Sequence, residues 1–211
     1  MRNLILICVL IMAAFHVSAQ YPGYTAIKDI NAFQTGFAAA SQKTTSIKSD
    51  FVQEKNLSLL ADKIVSKGKF WFKKENMVRM EYTQPFQYLM IINGQNIYVK
   101  DSQKENKISA KSNKLFQQIN KIIIDCVKGE ALESGDFNTR IFEGKESYLA
   151  ELSPVNKNLQ ALFKNINVIV EKKNYEVTGI EMHEPSGDNT IIHFNNRQLN
   201  TTLPDALFAV H

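Results

Sequence analysis

Cysteine, tryptophan and proline are scarce in this chain, with two, one and five respectively among 211 residues. Cys8 sits inside the apolar run Leu4–Phe15 near the N-terminus, so a chain trimmed of that run keeps Cys126 and has no intramolecular disulfide. A lone cysteine following Ile122, Ile123 and Ile124 reads as a small buried hydrophobe rather than a reactive thiol. The sequence also lacks a glycine-rich phosphate loop, a cysteine pair, Gly-x-Ser-x-Gly and His-Glu-x-x-His, which removes the common nucleotide, redox, esterase and zinc-protease signatures. No basic block occurs. The net charge of +4 comes from scattered lysines, which argues against nucleic acid as a partner. No apolar run reaches the length of a bilayer span, and the longest, Leu4–Phe15, stops short of it.

That run follows Arg2 and ends in Val17-Ser18-Ala19, the form of an export signal with a small-residue cleavage site. Residues 1–19 are therefore expected to be removed, leaving 20–211 as a single domain. Because Cys8 lies deep in the run and not at the cleavage point, the mature protein is expected to be soluble in the periplasm and not lipid-anchored.

What remains is rich in period-two patterning. In the stretch from Lys67 to Val99, Phe70 and Phe72 alternate with Lys69, Trp71 and Lys73, and Val78, Met80 and Tyr82 alternate with Met77, Arg79 and Glu81. This predicts antiparallel strands with one apolar and one charged face. Ile47–Glu54 and Lys63–Phe72 are expected as earlier strands. Phe137–Phe142, Ser147–Leu152, Ile166–Glu171, Val177–His183, Thr190–Asn195 and Ala206–Val210 follow, punctuated by turn residues such as Glu143-Gly144 and Pro185-Ser186-Gly187-Asp188. Asp101–Lys111 is polar and predicts a loop or mobile edge.

Two segments carry the helical period instead. Ile27, Ile30, Phe33 and Phe37 recur every three or four residues over Ala26–Gln42, and Leu115, Phe116, Ile119, Ile122, Ile123 and Cys126 do so over Asn113–Val127. The fold class is therefore α+β and mainly antiparallel β. So many strands accumulate twist, which curls the sheet toward a barrel, with two amphipathic helices available for its concave side.

Several of these segments, taken in order, carry a family resemblance. Ile47-Lys48-Ser49-Asp50-Phe51-Val52-Gln53-Glu54, Gly68-Lys69-Phe70-Trp71-Phe72-Lys73-Lys74, Met80-Glu81-Tyr82 with Gln84-Pro85, and Ile92-Asn93-Gly94 resemble the N-terminal half of the periplasmic outer-membrane lipoprotein carrier family, LolA. Leu149–Pro154, Val168–Glu171 and Leu203–Phe208 continue the likeness. The resemblance implies an incomplete β-barrel with helices covering its concave apolar face, and a chaperone that shields lipoprotein acyl chains between the inner and outer membranes. It implies no enzyme activity and no cofactor. The partners implied are acylated lipoproteins as cargo, an ATP-driven inner-membrane release complex and an outer-membrane receptor, with the carrier a monomer.

Under that reading the acyl chains meet Phe33, Phe37, Phe51, Phe70, Phe72, Val78, Met80, Tyr82, Leu89, Ile91, Leu115 and Ile119, although apolar alternation would equally build a filled core. The arginine that latches the family's helical lid corresponds to Lys74, with Arg79 the alternative latch. Two other functions compete. One is a carrier or sensor of another lipid or glycolipid, and the other is a secreted metal-dependent hydrolase built on Glu181, His183 and His193.

Overall fold

The computed structural model describes residues 21–59, 62–74, 76–94, 96–101, 105–109, 122–123, 125–127, 129–132 and 134–209. The expected export signal lies outside them. After the short strand β1 (Thr25–Ala26) comes helix α1 (Ile30–Lys43). It starts later than the Ala26 expected from periodicity. Thr25 and Ala26 pair with Glu143 and Phe142, and the Ile27 amide bonds to the Ile141 carbonyl, so these residues are held extended. Asp29 then caps the helix by accepting the Ala32 amide at 2.9 Å.

Five strands follow as a meander: β2 (Ser46–Asn56), β3 (Lys63–Lys73), β4 (Met77–Gln84), β5 (Tyr88–Asn93) and β6 (Asn96–Asp101). The segment expected as a loop or mobile edge over Asp101–Lys111 contains an edge strand, β7 (Glu105–Ser109), whose backbone pairs with β6. Polar composition does not prevent pairing at a sheet edge, because an edge strand's outer backbone groups face water. After a 3₁₀ turn at Glu130–Leu132 come β8 (Phe137–Glu143), β9 (Ser147–Pro154), the one-turn helix α2 (Lys157–Gln160), β10 (Asn165–Glu171), β11 (Val177–His183) and β12 (Asn189–Leu199). Of the expected second helix, residues 122–123 and 125–127 are helical, while Leu115 and Ile119 lie outside the described residues.

Among the described residues the strands form one twelve-stranded antiparallel sheet in the order β1-β8-β9-β10-β11-β12-β2-β3-β4-β5-β6-β7. Pairing of β12 with β2 joins the two halves, whereas β1 and β7 stay as edges, so the barrel is not closed. Its curvature is visible in the packing. Phe51, Phe70, Met80, Met90 and Ile97 from β2–β6 share one buried cluster with Ile141, Leu152, Val168, Ile180 and Ile192 from β8–β12, and α1 adds Phe33 and Phe37. Side chains so far apart along the strand order meet only if the sheet wraps around them. This is an incomplete barrel with its concave apolar face covered by helix.

The opposite face of β3–β6 is not simply charged. Trp71, Ile91 and Tyr98 form a second buried cluster with Leu203 and Phe208. The segment expected as a strand over Ala206–Val210 is instead a 3₁₀ turn, Asp205–Phe208, laid on that outer face. Side chains hold it there: Arg79 Nη1 donates to the Leu207 carbonyl at 3.2 Å, Asn93 Nδ2 to the Phe208 carbonyl at 3.2 Å and Lys73 Nζ to the Leu203 carbonyl at 3.2 Å.

Candidate functional site

The site is built where α1 crosses the concave face. Its sequence from Gly36 to Ser41 is Gly-Phe-Ala-Ala-Ala-Ser, so beyond Phe37 the helix projects little bulk toward the sheet. Phe33 and Phe37 anchor it: Phe33 is 1% exposed, stacks with Phe37 at 5.6 Å between ring centroids and meets Tyr148 edge-on at 4.8 Å. Among the described residues two cavities lie beside the C-terminal half of the helix. One, of about 360 Å³, runs between α1 and the β11–β12 side, against Ile47, Phe70, Tyr175, Val177 and Phe194. The other, of about 510 Å³, is lined by Ala38, Gln42, Phe72, Lys74, Gly129 and Glu130. Phe37, Ser41, Thr44 and Val127 line both.

The residues named from sequence separate into three groups. Phe37, Phe70 and Phe72 line these cavities. Phe33, Phe51, Val78 and Met80 lie in the packed cluster, and Tyr82 packs against it with its hydroxyl donating to Gln53 Oε1 at 2.8 Å. Leu89 and Ile91 point the other way, into the outer cluster under the C-terminal turn. Met80 pairs directly with Met90, so on β5 it is Met90 and Ile92 that face inward. Tyr175, Val177, Phe194 and Arg197 are among the cavity residues that sequence reasoning missed. Phe194 alternates with Ile192 and is within reach of the period-two pattern. Tyr175 stands in a turn at φ 58°, where nothing in the sequence marks it.

The two latch candidates also part company. Lys74 Nζ donates to the Gln42 carbonyl at 2.6 Å, at the C-terminal end of α1, where a cation complements the helix dipole. Arg79 faces the outer side, with its guanidinium over the Trp71 ring at 5.7 Å and paired to Glu81 at 2.8 Å. Lys74→Ala is expected to loosen the last turn of α1 by about 0.5 kcal/mol and to raise uptake of a fluorescent apolar dye. Arg79→Ala should leave dye uptake unchanged. Equal dye responses in the two variants would contradict this assignment.

A polar cluster occupies the outer face of β8–β11. Glu151, 3% exposed, accepts from the Tyr21 hydroxyl, from Arg140 Nε at 3.1 Å and from the Ser153 hydroxyl at 3.3 Å. Burial works to raise its pKa, but these hydrogen bonds and the Arg140 charge hold the carboxyl below its usual value. The stabilisation this provides is present above the ordinary glutamate pKa and is lost as pH falls through the lowered folded value. The thermal midpoint should therefore drop on acidification below about pH 4.3, with a shallower slope in Glu151→Gln. Parallel pH profiles for the two proteins would refute the assignment.

Glu181 is also held low, first by the neighbouring His183, whose Nε2 lies 3.6 Å away, and also by Asn167, whose Nδ2 donates to it at 3.2 Å. His193 pairs across from Gly179, one step further along the same face. Among the described residues no group of three or more His, Cys, Asp and Glu side chains is placed to hold a metal ion. Cys126 is fully buried, and burial pushes its thiol pKa up, away from thiolate chemistry.

An open antiparallel sheet rolled around an apolar interior, with a helix roofing cavities on its concave side, defines the class: a half-barrel built around an apolar hollow. The chain belongs to the LolA family, since residues 42–211 match the family model for outer membrane lipoprotein carrier protein LolA. The curated proteins contain no match to it.

Solved structures share the fold at low identity. An uncharacterized conserved protein from Thermus thermophilus aligns with 8% identity and a TM-score of 0.50, over 84% of this chain and 92% of that one. The LolA superfamily protein NE2245 from Nitrosomonas europaea aligns at 12% identity and 0.46, over 84% and 97%. The Mycobacterium tuberculosis lipoprotein LppX aligns at 11% and 0.46, over 82% and 96%. Among the described residues no helix is long and apolar enough to cross a membrane.

Proposed function

We propose that this chain is a periplasmic carrier that shields the acyl chains of lipoproteins and moves them from the inner to the outer membrane, with residues 1–19 as its export signal and 20–211 as one carrier domain. The observation that carries the reading is the apolar space between α1 and the sheet, bounded by Phe37, Phe70, Phe72 and Phe194, in a member of the LolA family. Each methylene exposed to water costs about 0.8 kcal/mol, so an acylated protein leaves a membrane only if its chains stay covered. The cover must also release them. An alanine-rich helix held by two aromatic anchors and one lysine contact suits both demands better than a filled core.

With no nucleotide-binding motif in the chain, loading is driven by an ATP-driven inner-membrane complex, and unloading needs an acceptor at the outer membrane. The carrier works as a monomer, without cofactor and without catalysis. The test is release from spheroplasts: acylated lipoprotein should appear in the soluble fraction when the purified protein is added and stay with the membrane without it. Retention on the membrane in both cases would defeat the proposal.

A further inference from the structure

We infer that the convex face of the sheet carries a second binding site, a polar pocket across β8–β11 that takes a small organic oxyanion, free in solution or as the headgroup of an anionic lipid. It lies on the face of the sheet opposite the hollow and goes beyond the carrier reading. The pocket encloses about 430 Å³ and is lined by Tyr21, Arg140, Glu151, Ser153, Lys164, Asn165 and His183, all of them polar or charged. That volume falls within the roughly 300–1,000 Å³ of small-molecule sites, so it suits an organic anion better than a bare ion.

Strand register builds the floor. Arg140 is paired with Glu151, Glu151 with Asn167 and Asn167 with Glu181, so a polar row crosses four adjacent strands. Asn165 and His183, themselves a pair, stand two residues along on the same face. Two members of the row are nearly sealed, with Glu151 3% exposed and Asn167 1%. The Lys164 amide donates to the His183 carbonyl at 2.7 Å, which holds the lysine beside the pocket. Over β3–β6 the C-terminal turn covers the convex face, whereas here the Tyr21 hydroxyl reaches Glu151 and Asn167 and leaves the pocket beside it.

The hydrogen bonds decide the sign of the ligand. Glu151 is the one carboxylate in the lining, and it is already occupied: the Tyr21 hydroxyl donates to Oε2, while Arg140 Nε and Nη2 and the Ser153 hydroxyl donate to Oε1. What remains is donors. Among the described residues Arg140 Nη1 and the Lys164 ammonium have no partner, and Asn165 Nδ2 spends one of its two hydrogens on Asn167 at 2.9 Å. Glu181 lies outside the lining and faces the His183 imidazole, with Nε2 at 3.6 Å. Arg140 and Glu151 cancel, so Lys164 leaves the lining with positive charge in excess. An acceptor-rich anion answers this set, and a cation meets no free carboxylate.

Glycerol 3-phosphate is the probe, because it is both a free anion and the headgroup chemistry of phosphatidylglycerol. Titrated into the purified chain and followed by NMR, it should give saturable shifts at Lys164, Asn165 and His183, with a Kd that rises as added NaCl screens the charges. Lys164→Gln, at an exposed position, should weaken binding about tenfold, a change of about 1.4 kcal/mol. Asn165→Asp, which sets a carboxylate among the donors, should abolish it. Sedimentation with phosphatidylglycerol vesicles but not phosphatidylcholine vesicles, reduced by Lys164→Gln, assigns the site to a lipid headgroup. Binding of glycerol 3-phosphate without sedimentation assigns it to a free anion. The absence of saturable shifts, an unchanged Kd in Lys164→Gln, or choline binding at the same residues overturns the site. None of these readouts uses acylated lipoprotein, so the site and the carrier reading fail separately.

Discussion

Phe33→Ala is expected to lower the unfolding free energy by about 3–5 kcal/mol, the range for truncating a buried phenylalanine. The side chain is 1% exposed and touches three aromatic rings, with centroids at 5.6 Å for Phe37, 4.8 Å for Tyr148 and 6.2 Å for Tyr175. Its neighbours cannot collapse onto the gap, because Tyr148 and Tyr175 are stacked on each other at 5.9 Å and Lys172 lies over Tyr148 at 5.2 Å. Since each kcal/mol moves Tm by roughly 2–4 °C in a domain of this size, a fall of about 10 °C should appear in a thermal melt. Loss of the anchor should also free α1, so apolar dye binding should rise below the melting transition. A melt within a degree or two of the wild type would show that the helix does not depend on this ring.

Gly68→Ala should be nearly as damaging for a different reason. A Cβ at Gly68 would meet the backbone carbonyl oxygen of Glu81 at 2.1 Å and the Phe51 ring at 2.6 Å. The ring can tilt but the carbonyl cannot, because β4 is held on its far side by β5. The register between β3 and β4 already shifts here, from Lys67 opposite Gln84 to Gly68 opposite Tyr82. One methyl group therefore forces the two strands apart at the centre of the sheet. A cost of about 3 kcal/mol is expected from overpacking, a large part of the roughly 5–15 kcal/mol that holds a domain folded. Chemical denaturation would measure it, and a loss below about 0.5 kcal/mol, the usual scatter of surface changes, would rule the clash out.

Legibility followed the strength of periodic patterns. The helix stripe of Phe33 and Phe37 and the alternation of Phe70, Phe72, Val78 and Met80 each come from local spacing, and all six lie in the concave cluster. The run Tyr88-Leu89-Met90-Ile91-Ile92 is apolar at every position, so its alternation says nothing about facing. The direction of Leu89 and Ile91 is set by the pairing of Met80 with Met90, and thus by how β4 turns into β5. A shift of one residue would have exchanged the two faces.

Residue order alone was enough for the class of fold, the covering helix and the family, because hydrophobic period and ordered motifs are local properties that survive without coordinates. Three features needed the folded chain: the second apolar face of the sheet under residues 203–208, the reach of Lys74 rather than Arg79 to α1, and the free space on two flanks of that helix. Each depends on contacts between segments distant in the chain or on the volume that side chains leave unfilled. Such contacts exist only once register and curvature have brought the segments together.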